Sequence, residues 1–159
     1  MNWMLALSVL SLIVFSCGKR CPCPSENIIP YYVAYTPAEI DTIEIRRFAK
    51  GSNFSQSTGT TTLTAANATY FATGDTTSII SNAPDFRIND EADWEIFNPC
   101  DNKLIRISEV LIEKQITHCG GLFSTDPASC FSMVTSFKKN GTVTTLDQNS
   151  YFRGLIIKK

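Results

Sequence analysis

Past Pro24 the chain alternates apolar and polar residues with period two, the spacing that turns one side of a β-strand to a core and the other to water. Tyr31, Val33 and Tyr35 share one face of the segment 30–35. Ile43 and Ile45 share a face of Asp41–Phe48, with Glu44 and Arg46 opposite. Thr-rich stretches at Thr60–Thr64 and Thr69–Thr73 precede a short apolar one at Ser78–Ile80, and Asp93–Phe97 alternates until Asn98-Pro99 stops it. Phe131–Phe137 and Thr142–Leu146 flank Asn140-Gly141, the pair that two-residue type I′ hairpins favour. Tyr151–Ile157 closes the pattern.

One segment breaks the rule. In LIRISEVLIEKQITHC, residues 104–119, Ile105 and Ile107 share one parity while Val110, Ile112 and Ile116 share the other. A helix is the rival reading of this run, but its β-branched density favours a strand. A parity switch with no turn residue then predicts a β-bulge or a change of sheet near Ser108-Glu109. Seven to nine short strands, separated by turn signals, argue for an all-β fold: an antiparallel β-sandwich, immunoglobulin-like or related.

The first residues follow a different logic. Trp3–Ser16 is an uncharged, apolar stretch, too short for a comfortable membrane span and right for the core of a signal peptide. Its end, Val14-Phe15-Ser16-Cys17, resembles the lipobox of bacterial lipoproteins: an aliphatic residue, a small residue, then the cysteine that takes the lipid. The resemblance implies cleavage before Cys17 and acylation of that residue. The n-region Met1-Asn2 carries no Lys or Arg and Phe15 is bulky, both departures from the usual motif. Ordinary secretion after a cut near Ser16 or Gly18 is the main alternative, and a retained anchor helix a third. The expected organisation is a signal peptide at 1–16, a lipidated Cys17 with a tether to residue 28, and one sandwich domain at 29–159. This layout is similar to the small β-sandwich lipoproteins of Gram-negative envelopes, a loose likeness for the body. It implies an extracytoplasmic protein on the outer membrane, facing the periplasm.

Removing Cys17 leaves five cysteines in a compartment that oxidises thiols. Cys119 and Cys130 bound a short loop with Gly120-Gly121 and Asp126-Pro127 as turns, and form the leading disulfide candidate. Its closure contributes roughly 3 kcal/mol by loop entropy. Cys100 then takes Cys21 or Cys23, and one thiol is left over. A bridge between Cys21 and Cys23 is disfavoured by their extended spacing across Pro22. The alternative chemistry is a thiol or metal site at Cys21 and Cys23, completed by Cys100, Cys119 or His118, but no paired CxxC spacing supports it.

Charge narrows the functional classes. The 159 residues carry 14 basic and 15 acidic side chains, so no basic footprint points to nucleic acid. His118 is the only histidine, and any His-dependent mechanism must pass through it. The acidic run Asn89–Asp93 lacks the glycine and the distal glutamate of an EF-hand, leaving at most a looser calcium site. Tyr31, Tyr32 and Tyr35 are core residues or a ligand platform. Three Asn-x-Ser/Thr triplets, at Asn53, Asn67 and Asn140, decide little in a chain this rich in Asn, Ser and Thr. The reading is therefore a non-enzymatic binding or structural protein, with no cofactor implied. It is anchored to a membrane by lipid and contacts an envelope protein or glycan. An inhibitor or immunity-type protein presenting the loop Gly120–Ser129 is a further alternative.

Overall fold

The computed structural model describes residues 26–118, 129–147 and 154–159, the side chains of 115–118 and 129–131 excepted. Ten strands lie among them: β1 (Ile29–Val33), β2 (Ile43–Ala49), β3 (Ser57–Leu63), β4 (Ala68–Thr73), β5 (Thr76–Ser81), β6 (Ala92–Asn98), β7 (Lys103–His118), β8 (Ser129–Lys139), β9 (Thr142–Thr145) and β10 (Gly154–Lys158). The chain groups into two compact units; of the described residues, 26–113 with 133–147 and 154–159 belong to the first, and 114–118 with 129–132 to the second. Of the second unit, the described backbone is the outer ends of β7 and β8. The first unit holds the rest.

A four-stranded sheet runs β10-β1-β5-β4 and a six-stranded sheet runs β3-β2-β6-β7-β8-β9. All the pairings described are antiparallel except that of β1 with β10. One core joins the sheets: Tyr32, Ile79, Leu155 and Ile157 from the smaller sheet meet Ile43, Trp94, Ile96, Ile107 and Phe137 from the larger. Each such aliphatic or aromatic side chain stabilises the fold by about 1.5–3 kcal/mol through burial. The antiparallel sandwich expected from the alternation is thus the fold. Ten strands stand where seven to nine were expected, because every alternating segment forms a strand of its own.

Both local expectations of irregularity are met. Ile105 and Ile107 are buried, Glu109 is exposed with φ +49°, and Val110 is buried, so the parity of β7 switches at the residue pair expected. A single residue in the left-handed region shifts the strand by one position, as a β-bulge does. Asn140 and Gly141, at φ +50° and +83°, form the two-residue turn between β8 and β9. Positive φ at both positions is the signature of the type I′ turn.

The facing of β1 differs from expectation. Tyr32 and Pro30 are buried, whereas Tyr31 and Val33 are half-buried on the other side. Pro30-Tyr31-Tyr32-Val33 puts apolar or aromatic side chains on both faces of β1, one buried and the other half-buried, so alternation alone cannot tell in from out. Ala34, at φ +63°, then resets the direction and returns Tyr35 to the core.

Gly154 is where the parallel pair closes. A Cβ there would lie 2.2 Å from the Ile29 carbonyl oxygen and 2.7 Å from the Tyr31 ring. Gly154→Ala is expected to destabilise the protein by about 1–3 kcal/mol, the usual scale of overpacking. Urea denaturation checks this, and an unchanged midpoint would contradict the close approach of β1 and β10.

Candidate functional site

The outward face of the larger sheet carries charge in register. Glu95 on β6 lies opposite Arg46 on β2 and Arg106 on β7. Its carboxylate is buried, accepts a hydrogen bond from Arg106 Nε at 2.8 Å and lies 3.6 Å from the Arg46 guanidinium. Arg46 also donates to Glu44. The β2–β3 loop folds over this face: Phe54 packs edge-on against Phe48 at 5.6 Å, and the Arg106 guanidinium lies 5.0 Å from the Phe54 ring centre. Asn53 and Phe54 both take positive φ to make that fold-back.

Beside Glu95, Asp93 accepts the Gly51 N–H at 2.9 Å. Burial pushes the Asp93 carboxyl above its ordinary value of 3.8, against the opposing pull of the Gly51 N–H and Lys50. Asn89, Glu91 and the Asp90 backbone hold the same corner, while Asp90 Oδ1 is buried with no hydrogen-bond partner among the described residues. Asn89 accepts Trp94 Nε1 on its carbonyl and the Glu91 N–H on its side chain, Lys50 Nζ donates to the Asp90 carbonyl, and Glu91 lies 3.8 Å from Arg47. Among the described residues no three His, Cys, Asp or Glu converge on a point where a metal would sit.

Two grooves flank the Asn140-Gly141 turn and share Leu104 and Asn140. The first, of about 550 Å³, is lined by Phe54, Arg106, Ser108, Glu109 and Lys138. Its cations are paired, Arg106 with Glu95 and Lys138 with Glu109 at 2.6 Å. The second, of about 560 Å³, lies between β7 and β10 and is lined by Lys103, Lys139, Lys158, Leu104 and Ile156. Lys139 Nζ donates to the Ile156 carbonyl at 2.8 Å, and Lys103 Nζ to the Lys158 carbonyl. Lys103 also donates to the Tyr35 hydroxyl at 3.1 Å and lies 3.7 Å from Asp101, to which Tyr35 donates in turn. Burial, then the hydrogen bond to Asp101, raises Tyr35, so its hydroxyl is a neutral donor rather than a phenolate. Burial and the nearby charge of Lys103 lower Lys139.

Residues singled out in the sequence fall largely elsewhere. Cys17, Cys21, Cys23 and Cys119 lie outside the described residues, as do the side chains of Cys130 and His118. Cys100 is exposed in the β6–β7 turn and forms no disulfide among the described residues, and its N–H is held by the Asn98 side chain. Tyr32 and Tyr35 pack edge to face at 5.5 Å within the core, and do not form an open platform. The Asn67 side chain accepts the Thr64 N–H and donates to the Thr62 carbonyl, while Asn140 Oδ1 accepts the Arg106 N–H. Both asparagines therefore have a structural use that explains them. The lysine groove went unread in the sequence, since its three cations come from strands far apart in the chain.

The raised Asp93 gives a signed expectation. A carboxyl raised in the fold contributes stability that is full below its ordinary value of 3.8 and lost as pH climbs through the raised value. Asp93→Asn keeps an acceptor for Gly51 and carries no charge. It is expected to melt above the parent at pH 7, with the gain vanishing by about pH 3. Calorimetry across that range checks it, and a variant that melts lower at pH 7 would contradict the burial of the charge.

In comparison with known proteins, no protein-family model, curated protein or solved structure matches the chain.

Proposed function

We propose that this is a lipid-anchored protein of the bacterial cell envelope whose β-sandwich acts as a non-enzymatic binding module. The observation that carries the reading is the apolar run ending in Val14-Phe15-Ser16-Cys17. Acyl chains on Cys17 would contribute about 0.8 kcal/mol for each buried CH₂, so two or three hold the protein to a bilayer. Lys19 and Arg20 then lie at headgroup level, where each adds about 1 kcal/mol on an anionic surface. Residues 18–28 span from the lipid to β1, which begins at Ile29. Gly18, with no aspartate after the lipid site, accords with the outer membrane and a periplasmic face.

A binding role is supported by the kind of surface the sandwich offers. Its polar groups are spread along a strand face and two open grooves, and Tyr35, which bonds Asp101 and Lys103, is held as a neutral donor. Such a surface recognises a partner without needing a nucleophile.

Intact mass spectrometry of the mature protein tests the anchor. The expected species begins at Cys17 and carries the added mass of acyl chains, and Cys17→Ser moves the protein from the membrane to the soluble fraction. A bare N-terminus, or a Cys17→Ser variant that stays with the membrane, would overturn the reading.

A further inference from the structure

We propose that the groove between β7, the Asn140-Gly141 turn and the open edge of β10 binds an anion of the phosphate class joined to a small apolar portion. This names the ligand chemistry of the binding module, and rests on that reading only for its biological setting.

Charge is the first argument. Three lysines, Lys103, Lys139 and Lys158, line the groove, the first two with their ammonium groups on the β10 carbonyls, and among the described lining residues there is no carboxylate. Asp101, just outside, pairs with Lys103 alone. The neighbouring groove balances each of its cations with a glutamate, so the surplus positive charge is particular to this one. The lowered Lys139, pushed down by burial and by Lys103, is what an ammonium without a counter-ion shows.

Hydrogen bonding is the second. The Ile156 and Lys158 carbonyls point to the edge of β10 that no described strand pairs with, and are already taken by Lys139 and Lys103. Asn140 Oδ1 is taken by the Arg106 N–H. In a strand the N–H and C=O of one residue point the same way, so the Ile156 and Lys158 N–H groups face the same opening. Lys159 N–H bonds Val33 on the β1 side, which fixes that alternation. The ligand therefore meets two backbone donors, the spare protons of Lys139 and the ammonium of Lys158. An oxyanion, which only accepts, matches this array. An added peptide strand does not, because its own N–H groups would have to displace both lysines from the β10 carbonyls.

The rim supplies the third. Leu104 and Ile156 are 40% and 43% exposed at the groove, an apolar margin for the organic part of the ligand.

The test uses the full chain with Cys17→Ser, which carries no lipid, labelled with ¹⁵N. It is titrated with inorganic phosphate, with hexyl phosphate, and with vesicles of phosphatidylglycerol in phosphatidylcholine. Hexyl phosphate is expected to move the Ile156 and Lys158 amide signals and to bind more tightly than inorganic phosphate. Lys158→Gln is expected to weaken binding about tenfold, the cost of one charge-assisted hydrogen bond. Adding Lys139→Gln should abolish it, and Lys138→Gln in the neighbouring groove should leave it unchanged. Vesicle binding that falls with the same two substitutions would identify a lipid headgroup as the source of the phosphate, and supports the site. Should the double variant unfold, Lys158→Gln decides, since that side chain is exposed. No response to any anionic probe, or equal binding by Lys158→Gln, overturns the proposal. The unlipidated chain keeps this result separate from the mass at Cys17.

Discussion

Asn140 is attached to the backbone of Arg106 at two points, and that attachment decides what the larger sheet leaves open. Its N–H donates to the Arg106 carbonyl at 2.9 Å, and its side-chain oxygen accepts the Arg106 N–H at 2.7 Å. Each bond contributes about 1 kcal/mol net. Together they make the turn residue the last rung between β7 and β8. Leu104, two residues back, presents its backbone to the same side, where β8 has already turned away into β9. The uncovered start of β7 then stands across from the open edge of β10, and the space between is the lysine groove. The bulge at Glu109 serves the same arrangement. It lets β7 bury Ile107 before the shift and Val110 after it, so the strand stays long enough for β8 to return.

The lysines of the groove carry two roles that physical chemistry makes compatible. An unpaired strand edge invites association, and natural sheets blunt such edges with lysine. Lys139 and Lys103 do this to β10 from the opposite sheet, through the carbonyls of Ile156 and Lys158. An ammonium has three protons, so capping one carbonyl does not exhaust it. On the outer face the charge is arranged differently. Glu95 is shared between Arg46 and Arg106, and that array is closed on itself. Only the Glu95 carboxylate is buried, so its desolvation is offset by two cations that stay at the surface, and removing it would leave both guanidinium groups without their shared anion.

What the sequence made legible was local. The Asn140-Gly141 turn needs positive φ at both residues, and few dipeptides supply it, so the hairpin was readable from two letters. The parity switch at Ser108-Glu109 was readable because a strand's period is strict enough for one slip to show. What depended on which strands meet was not. Tyr31 and Tyr32 could not be told apart while the coverage of β1 was unknown, and nothing near Gly154 announces the Ile29 carbonyl that excludes a side chain. The groove is the extreme case. Lys103, Lys139 and Lys158 are ordinary surface lysines until the pairing of β1 with β10 and the docking of Asn140 bring them together. The cysteines, by contrast, drew attention through spacing, and Cys100 alone of them has a described side chain.

Amide hydrogen exchange in an Asn140→Gly variant tests the central role of the attachment most directly. Glycine keeps the positive φ of the turn and removes only the side-chain oxygen that holds Arg106. The Arg106 amide is expected to lose its protection while Ile105 and Ile107, paired with Ile96 and Trp94, keep theirs. An Arg106 amide as slow to exchange in the variant as in the parent would contradict the account.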